Sequence, residues 1–251
     1  MSKLPNAPLQ EVIFEVRWAL DVNEDTNQYL DTGFELAAGS LRSKLKKDFP
    51  LLHRKVPHEI PSQLLNYVTV YQFRKKKHTW PVIQLGPGIL TVNDNDQNYE
   101  WETTFLPLIS ESLSALIDSY ETLLEFNSVG LRYVDSVKAR DFGFQGNWYE
   151  FLDKTLNFNV NNSFDYRGEI SDFQINQNFQ QPDGSNLIVT ASSGKTKKTS
   201  EPLLFWQIEM KKKGKIARDD LMKWLHTAHD ITSETFKKIV KKEMYERFAR
   251  T

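Results

Sequence analysis

Cysteine is absent from the 251 residues of this chain. Its absence excludes disulfide bonds, metal sites built from thiolates and a cysteine nucleophile. Long apolar runs are also missing, since no segment approaches the roughly 18 consecutive apolar residues of a membrane-spanning helix. The first six residues lack the apolar core of a signal peptide. We therefore expect a soluble, cytoplasmic protein with no membrane partner.

A surplus of one charge is missing too. The 32 Lys and Arg residues are balanced by 33 Asp and Glu residues, so no overall field attracts nucleic acid or a membrane surface. The glycine-rich signatures of nucleotide-binding loops and the G-x-S-x-G of hydrolases do not occur. Gly86-Pro87-Gly88 is too short to cradle phosphates, and residues 193–196 lack the upstream glycine of a P-loop. Nucleophilic and NTP-driven catalysis are without support, and no cofactor is expected.

Apolar residues are plentiful, at 39% of the chain, and residues 218–248 carry the strongest helical pattern. On a helix of 100° per residue, one face collects Leu221, Leu225, Ala228, Thr232, Phe236, Ile239 and Val240. A continuous helix of about 31 residues would be a rod of roughly 45 Å. Such a rod needs a sheet or other helices beneath its apolar face, and we expect Leu225 and Phe236 to be buried there.

The remaining pattern combines strands of alternating polarity with three further helices. Strands are predicted at 9–20, 63–73, 80–85, 89–92, 127–138, 165–178, 187–191 and 203–212, and helices at 29–47, 100–124 and 148–156. Segment 49–61, with three prolines and two histidines, is predicted to be irregular with at most one short strand. Residues 192–200 are expected to form a mobile linker.

Strand and helix never alternate along the chain as a parallel sheet requires. The prediction is therefore an α+β fold of mainly antiparallel sheet, closed by the long C-terminal helix. We expect two meander-plus-helix halves, 1–126 and 127–251, joined as one compact unit.

Four stretches of the chain together resemble a known family. They are residues 7–18 (Ala-Pro-Leu-Gln-Glu-Val-Ile-Phe-Glu-Val-Arg-Trp), 90–101, 129–135 and 225–236. In this order and spacing they resemble a sporadically distributed, functionally uncharacterised prokaryotic family of proteins of similar length. That family has no assigned catalytic residues, so the resemblance assigns none to this chain. The patchy distribution of that family resembles that of defence-island and toxin–antitoxin genes, which implies a protein partner encoded nearby.

Two histidines three residues apart form the most suggestive cluster. On a helix, His226 and His229 lie about 60° apart and could share a metal ion with Asp230. The pattern lacks the glutamate of a zincin motif. The alternative is that His229 hydrogen-bonds to the sheet beneath the helix while His226 faces solvent. We favour this alternative, so no metal site is predicted, and His229 is kept as a candidate binding residue.

Arg132 is the second candidate binding residue. It lies in the predicted strand 127–138, where Asp135 points to the opposite face. An arginine among Val, Leu and Tyr is expected to pair with a carboxylate, and the alternative is that it binds an anion. Glu11, Glu15 and Glu169 are the candidate partners.

Three short basic runs lie at strand ends or in linkers, at 74–78, 195–198 and 211–215. If they converge, they form a phosphate-binding rim with Phe73, Trp80 or Trp206 as stacking partners. If they are scattered, they are ordinary solvated turns. The candidate binding residues in these runs are Lys75, Lys76, Lys77, Lys211, Lys212 and Lys213.

Two functions follow from these observations. The first is a non-catalytic cytoplasmic binding protein, antitoxin-like or associated with antiviral defence, that acts on another protein. The alternative is a nucleic-acid-binding protein or metal-independent nuclease that uses the basic turns and a histidine. Homo-oligomerisation stays open in both cases.

Overall fold

A computed structural model of the chain describes residues 4–23, 27–95, 99–160, 164 and 168–250. Within these residues the strands are β1 (Leu9–Trp18), β2 (Asp21–Asn23), β3 (Gln28–Leu30), β4 (Leu51–Arg54), β5 (Tyr71–Arg74), β6 (Val82–Gly86), β7 (Ile89–Asp94), β8 (Phe126–Lys138), β9 (Gln174–Gln180), β10 (Asn186–Lys195) and β11 (Pro202–Lys213). The helices are α1 (Phe34–Leu45), α2 (Leu106–Ile117), α3 (Trp148–Thr155), α4 (Arg218–Ile239) and α5 (Lys242–Ala249).

Nine of these strands form one sheet, in the order β4-β5-β6-β7-β1-β8-β11-β10-β9, and β2 pairs with β3 in a separate hairpin. Strands that follow each other along the chain pair antiparallel, as in β5–β6, β6–β7 and β9–β10. Antiparallel neighbours can be joined by short turns, so these pairs need no helical crossover. The predicted α+β fold with a large antiparallel sheet and a C-terminal helix is confirmed.

The chain divides into two compact units that are not simple halves. The first unit contains residues 1–11, 132–210 and 226–251, and the second unit contains residues 12–131 and 211–225. The predicted halves, 1–126 and 127–251, differ from these units mainly because residues 1–11 and 211–225 each belong with the other part of the chain.

Cross-strand register separates apolar from polar side chains in the second unit. One row crosses five strands through Phe14, Val92, Ile83, Phe73 and Leu52, and its first four members are buried. The neighbouring row, one residue along each strand, is Glu15, Thr91, Gln84, Gln72 and His53. Successive residues of a strand point to opposite faces, so the two rows lie on opposite faces of the sheet. The apolar face is the one towards α1, whose Phe34 stacks on Tyr71 of β5.

The polar row is joined by hydrogen bonds centred on Gln84. Its Nε2 donates to Thr91 Oγ1 and to Asn93 Oδ1, both at 3.1 Å. Its Oε1 accepts from Gln72 Nε2 at 2.9 Å and from Lys55 Nζ at 3.0 Å. Thr91 and Asn93 are buried although polar, and hydrogen bonds offset the cost of removing such groups from water.

Asp31 joins three parts of the second unit through one oxygen. Its Oδ2 accepts from Trp18 Nε1 at 3.2 Å, from the Gly88 N–H at 2.9 Å and from the Tyr120 hydroxyl at 2.8 Å. Burial and the adjacent Asp31 carboxylate raise the pKa of Tyr120, so its hydroxyl remains a donor. Gly88 has a φ of 72°, and a Cβ there would lie 2.7 Å from the Tyr67 ring. The turn between β6 and β7 therefore requires glycine.

The predicted single helix over residues 218–248 is wrong, because the chain forms two helices separated at Val240 and Lys241. Val240 makes an isolated β-bridge with Leu156, and Lys241 donates its N–H to Thr155 O at 3.0 Å. These bonds to the end of α3 replace bonds that a continuous helix would make within itself. No glycine or proline marks the break, so the helical pattern of the sequence continues through it.

The predicted burial of the α4 face is confirmed in part. Leu225 is fully buried, whereas Phe236 is only half-buried and packs against the core of the first unit. Because the helix breaks after Ile239, Phe248 of α5 can contact the rings of Trp206 and Phe236. The bend thus adds a second helix to the same core.

Most other predicted elements are present, and the differences lie in where they begin and end. Strands 9–20, 127–138 and 203–212 and helix 148–156 are confirmed within two residues. Helix 100–124 is confirmed over residues 101–117, where the π-helical segment Trp101–Phe105 runs directly into α2, and it ends earlier than predicted. Helix 29–47 starts later, because β3 occupies its first turn, and strand 63–73 shortens to β5. Residues 192–195, predicted as linker, extend β10. The predicted strand 165–178 begins on residues 165–167, which lie outside the described residues. Residues 168–173 are not in a strand, and only 174–178 are confirmed, as part of β9.

We expect Asp31→Asn to destabilise the protein by about 2–3 kcal/mol. Three donors share one charged acceptor, and a neutral amide both weakens these bonds and places NH₂ near donors. Urea denaturation at pH 7 measures the change. Asp21→Asn is the matched control, since Asp21 lies in the exposed β2–β3 hairpin and accepts hydrogen bonds from the N–H and the hydroxyl of Thr32. Equal losses in the two variants would contradict the role of Asp31.

Candidate functional site

A cleft of about 530 Å³ opens in the second unit, at the edge of the sheet formed by β4 and β5. The start of α1 and the loop after β4 form its other walls. Its volume falls within the range of ligand-binding clefts, roughly 300–1,000 Å³. The apolar part of the lining consists of Phe34, Ile60, Pro61, Leu65 and Pro87.

Arg54 and Tyr71 organise the polar wall of the cleft. Arg54 Nη1 donates to the Tyr71 hydroxyl at 3.0 Å, and its guanidinium lies 5.4 Å from the centroid of the Tyr71 ring. Arg54 Nε donates to Val56 O at 2.9 Å, and the Tyr71 hydroxyl donates to Glu35 Oε2 at 3.4 Å. Two hydrogen bonds and a cation–π contact hold the guanidinium in place, so its positive charge already interacts with groups of the cleft wall.

The remaining charges of the cleft are acidic. Glu35 lies in the first turn of α1, where the helix dipole favours a carboxylate, and Glu59 lies on the loop. Arg54 offsets one of these two carboxylates, and His58 stands beside Glu59. The cleft is therefore suited to an apolar group with a neighbouring positive charge.

Several apolar side chains in or next to the lining segments are exposed. Ile60 of the lining is 38% exposed, Leu64, next to Leu65, is 69% exposed, and Leu36, next to Glu35, is 75% exposed. Tyr29 of the β2–β3 hairpin is 60% exposed, and Asn66 Nδ2 donates to its carbonyl at 2.7 Å, which holds the hairpin beside the loop. Exposed apolar side chains are typical of protein interaction sites.

The basic runs of the second unit lie on distant strands of the sheet. The run at 75–77 is the turn after β5, and the run at 211–213 ends β11. Five strand-to-strand steps, through β6, β7, β1 and β8, lie between β5 and β11. At about 4.8 Å per step they separate the two runs by roughly 24 Å. The two runs do not form a shared rim, and the run at 195–198 belongs to the other unit.

Arg132 pairs with a carboxylate in the first unit, as predicted for an arginine in this strand. Its Nη2 lies 3.3 Å from Glu209 Oε1 of β11, and Glu209 is buried. None of the three predicted partners, Glu11, Glu15 and Glu169, is the residue found, because the carboxylate beside Arg132 comes from β11, which borders β8 on the side opposite to β1. Arg132 Nε is buried and has no hydrogen-bond partner within the described part of the chain.

His229 hydrogen-bonds to the sheet through Tyr133, as predicted. Its Nδ1 lies 2.9 Å from the Tyr133 hydroxyl, whereas His226 is exposed. Burial lowers the pKa of His229 to about 4, so the imidazole is neutral at physiological pH. A neutral imidazole with its hydrogen on Nε2 accepts a hydrogen bond from the tyrosine hydroxyl at Nδ1, which gives the pair a structural role.

Asp135, two residues from Tyr133 on the same face of β8, is a buried acid. Only 4% of it is exposed, and its Oδ2 has no hydrogen-bond partner among the described residues. Burial raises the pKa of Asp135 to about 8, so the carboxyl is protonated at neutral pH. Tyr133, Asp135 and Val137 alternate along β8, so their side chains lie on the same face of the sheet. Val137 on that face is apolar, and this was the sequence signal that Asp135 would be buried.

No three His, Asp or Glu side chains of the described residues are arranged to hold a metal ion. No helix in the described part of the chain is long and apolar enough to cross a membrane.

The sequence did not indicate the cleft, because its lining comes from separate parts of the chain, at residues 34–35, 54, 58–61, 65, 71 and 87. The available signal was segment 49–61, whose prolines and histidines set it apart from the strands around it. An irregular segment beside a sheet edge is where a binding loop is expected.

No protein-family model, curated protein or solved structure matches this chain. Its function is therefore inferred from the geometry of its own residues.

We expect Asp135→Asn to gain stability relative to the wild type as the pH rises from 4 to 8. In the folded chain the carboxyl keeps its proton up to about pH 8, while the unfolded chain releases it above about pH 3.9. Between these values, unfolding releases a proton, so this group lowers the stability of the wild type by about 1.4 kcal/mol per pH unit. The variant lacks that titration.

Urea denaturation of both proteins at pH 5, 6, 7 and 8 measures this difference. The contribution of His229 is common to both proteins and cancels. Asp153→Asn is the control, because that side chain is 76% exposed, and its difference from the wild type should stay nearly constant. A constant difference for Asp135→Asn as well would show that Asp135 ionises normally.

Proposed function

We propose that this chain is a non-catalytic protein-binding partner whose second unit receives a segment of another protein in the cleft beside β4 and β5. The proposal rests on a concave site that combines apolar side chains with two carboxylates, and on exposed apolar side chains next to its lining segments. The segment it fits is an apolar one that carries a Lys or Arg residue.

The chemistry of the cleft supports a peptide more than a phosphate ligand. Its arginine is already bonded to Tyr71 and Val56, and Glu35 and Glu59 would repel phosphate. A bound protein chain would also cover exposed apolar side chains such as Ile60 of the lining and Leu64 beside it, which removes apolar area from water at about 25 cal/mol per Å². A small polar ligand would leave that area exposed.

The family resemblance of the sequence supplies the biological setting of the proposal. The partner would be a protein encoded nearby, in an antitoxin-like or antiviral-defence role within the cytoplasm. Binding of this kind requires no cofactor from the chain.

The cleft can be tested by co-purification of the full chain from its native host. Ile60→Ser with Leu64→Ser should lose a partner that travels with the wild type in near-equal amounts, since buried apolar anchors dominate interface energies. Glu59→Lys should weaken the same complex by roughly tenfold or more, because it reverses a charge that faces the partner. Binding of the purified partner is measured by calorimetry.

Leu123→Ser is the matched control, since Leu123 is 87% exposed and does not line the cleft. It should leave binding unchanged. A partner that binds all of these variants equally would show that the cleft is not its site. The absence of any partner retained by the wild type would remove the proposal itself.

The nucleic-acid alternative makes a separate prediction about residues 75–77. If phosphate contacts drove binding, Lys75→Ala, Lys76→Ala and Lys77→Ala together would weaken it and flatten its salt dependence. We expect instead no submicromolar affinity for RNA or DNA at about 150 mM salt, because the two basic runs of the second unit lie apart. Submicromolar binding that the triple variant abolishes, with unchanged unfolding, would favour the alternative.

A further inference from the structure

The strand β9 of the first unit is an outermost strand of the nine-stranded sheet. Six of its seven residues are exposed, and Ile175 is half-buried. Within the described part of the chain, no strand pairs with its outer edge. Such an edge presents unpaired backbone N–H and C=O groups, which are a template for another strand.

β9 lacks the features that normally protect a sheet edge. Its sequence, Gln-Ile-Asn-Gln-Asn-Phe-Gln, contains no charged residue and no proline. The strand at the other edge, β4, contains Arg54 and is flanked by Pro50 and Lys55. Charged residues and prolines discourage edge-to-edge pairing, so β4 is protected in a way that β9 is not.

The bonds between β9 and β10 determine which backbone groups face the open edge. Phe173 O accepts from the Ser193 N–H, and the Gln181 N–H donates to Ser185 O. In an antiparallel pair the bonded residues alternate, so the odd-numbered residues of β9 bond to β10. The even-numbered residues therefore point their N–H and C=O groups outward. They are Gln174, Asn176, Asn178 and Gln180.

The sequence of β9 reads almost the same in both directions about Gln177. Two copies paired antiparallel about this residue match like with like: Gln174 opposite Gln180, Ile175 opposite Phe179, and Asn176 opposite Asn178. The even-numbered pairs, whose backbone groups already point outward, would exchange about eight hydrogen bonds. The odd-numbered pairs place an apolar residue against an apolar residue and Gln177 against its own copy.

We propose that β9 pairs antiparallel with β9 of a second copy of this chain, with a two-fold axis at Gln177. The contact is isologous, so it closes as a dimer and does not propagate. With seven residues on each side, it is smaller than a standard interface of roughly 20–30 residues a side. We therefore expect a dissociation constant in the micromolar range. The proposal is independent of the cleft, which lies in the other unit.

Charge placement on the even-numbered face tests the pairing and its register. Asn176→Lys with Asn178→Lys should abolish dimers, because each lysine would face a lysine of the other copy. Asn176→Lys with Asn178→Glu is the matched control, because the same register then pairs lysine with glutamate, and dimers should return. Analytical ultracentrifugation of the full chain from about 5 to 500 μM measures the molecular mass and so distinguishes monomer from dimer. Circular dichroism checks that each variant is folded.

Cysteine cross-linking gives an independent measurement, because the chain contains no cysteine of its own. Gln177→Cys should form an intermolecular disulfide, since residues that face each other without hydrogen bonds have Cα atoms about 4.5 Å apart. Gln174→Cys should not, because the two copies of that residue would be roughly 20 Å apart.

A wild type that stays monomeric at every concentration would overturn the proposal. Equal cross-linking of the Gln177→Cys and Gln174→Cys variants would do the same, since it would indicate random collision. Dimers that persist in the variant with two lysines would place the interface elsewhere on the chain.

Discussion

The two-residue alternation of the sheet is the constraint on which the second unit depends. The row of Phe14, Val92, Ile83 and Phe73 is buried on one face, while the row centred on Gln84 is hydrogen-bonded on the other. A slip of one residue would exchange the two rows and place glutamines in the apolar core. Asp31 opposes such a slip, because its carboxylate holds the β6–β7 turn and the end of β1 in one arrangement.

The surfaces with binding potential occur where this alternation reaches the edges of the sheet. At β4 and β5 the apolar face carries Arg54 and Tyr71. The loop after β4 leaves the apolar side chains of Ile60 and Leu64 exposed. At β9 six of the seven residues are exposed and the strand contains no charged residue. A sheet satisfies its backbone internally except at its outermost strands, so its edges are the natural places for contacts with other chains.

The first unit contains two groups that titrate in opposite ways because both are buried. Burial raises the pKa of Asp135 to about 8 and lowers that of His229 to about 4, so each is neutral in the folded chain. Between about pH 4 and 6.5, the folded chain holds a proton on Asp135 and the unfolded chain holds one on His229. Their contributions to the pH dependence of stability cancel in that range, and above it Asp135 alone remains.

By itself the sequence determined the kind and order of the elements, because each strand and helix carries its own periodicity. The strand at 127–138, the short helix at 148–156 and the predicted contact of His229 with the sheet are of this local kind. It could not show that Glu209 is the partner of Arg132, that the helix breaks at Val240, or that residues 34–35, 54, 58–61, 65, 71 and 87 line one cleft. These features depend on which strands are neighbours and on bonds between distant segments. Only the tertiary structure decided them, because no local pattern distinguishes one carboxylate or one strand edge from another.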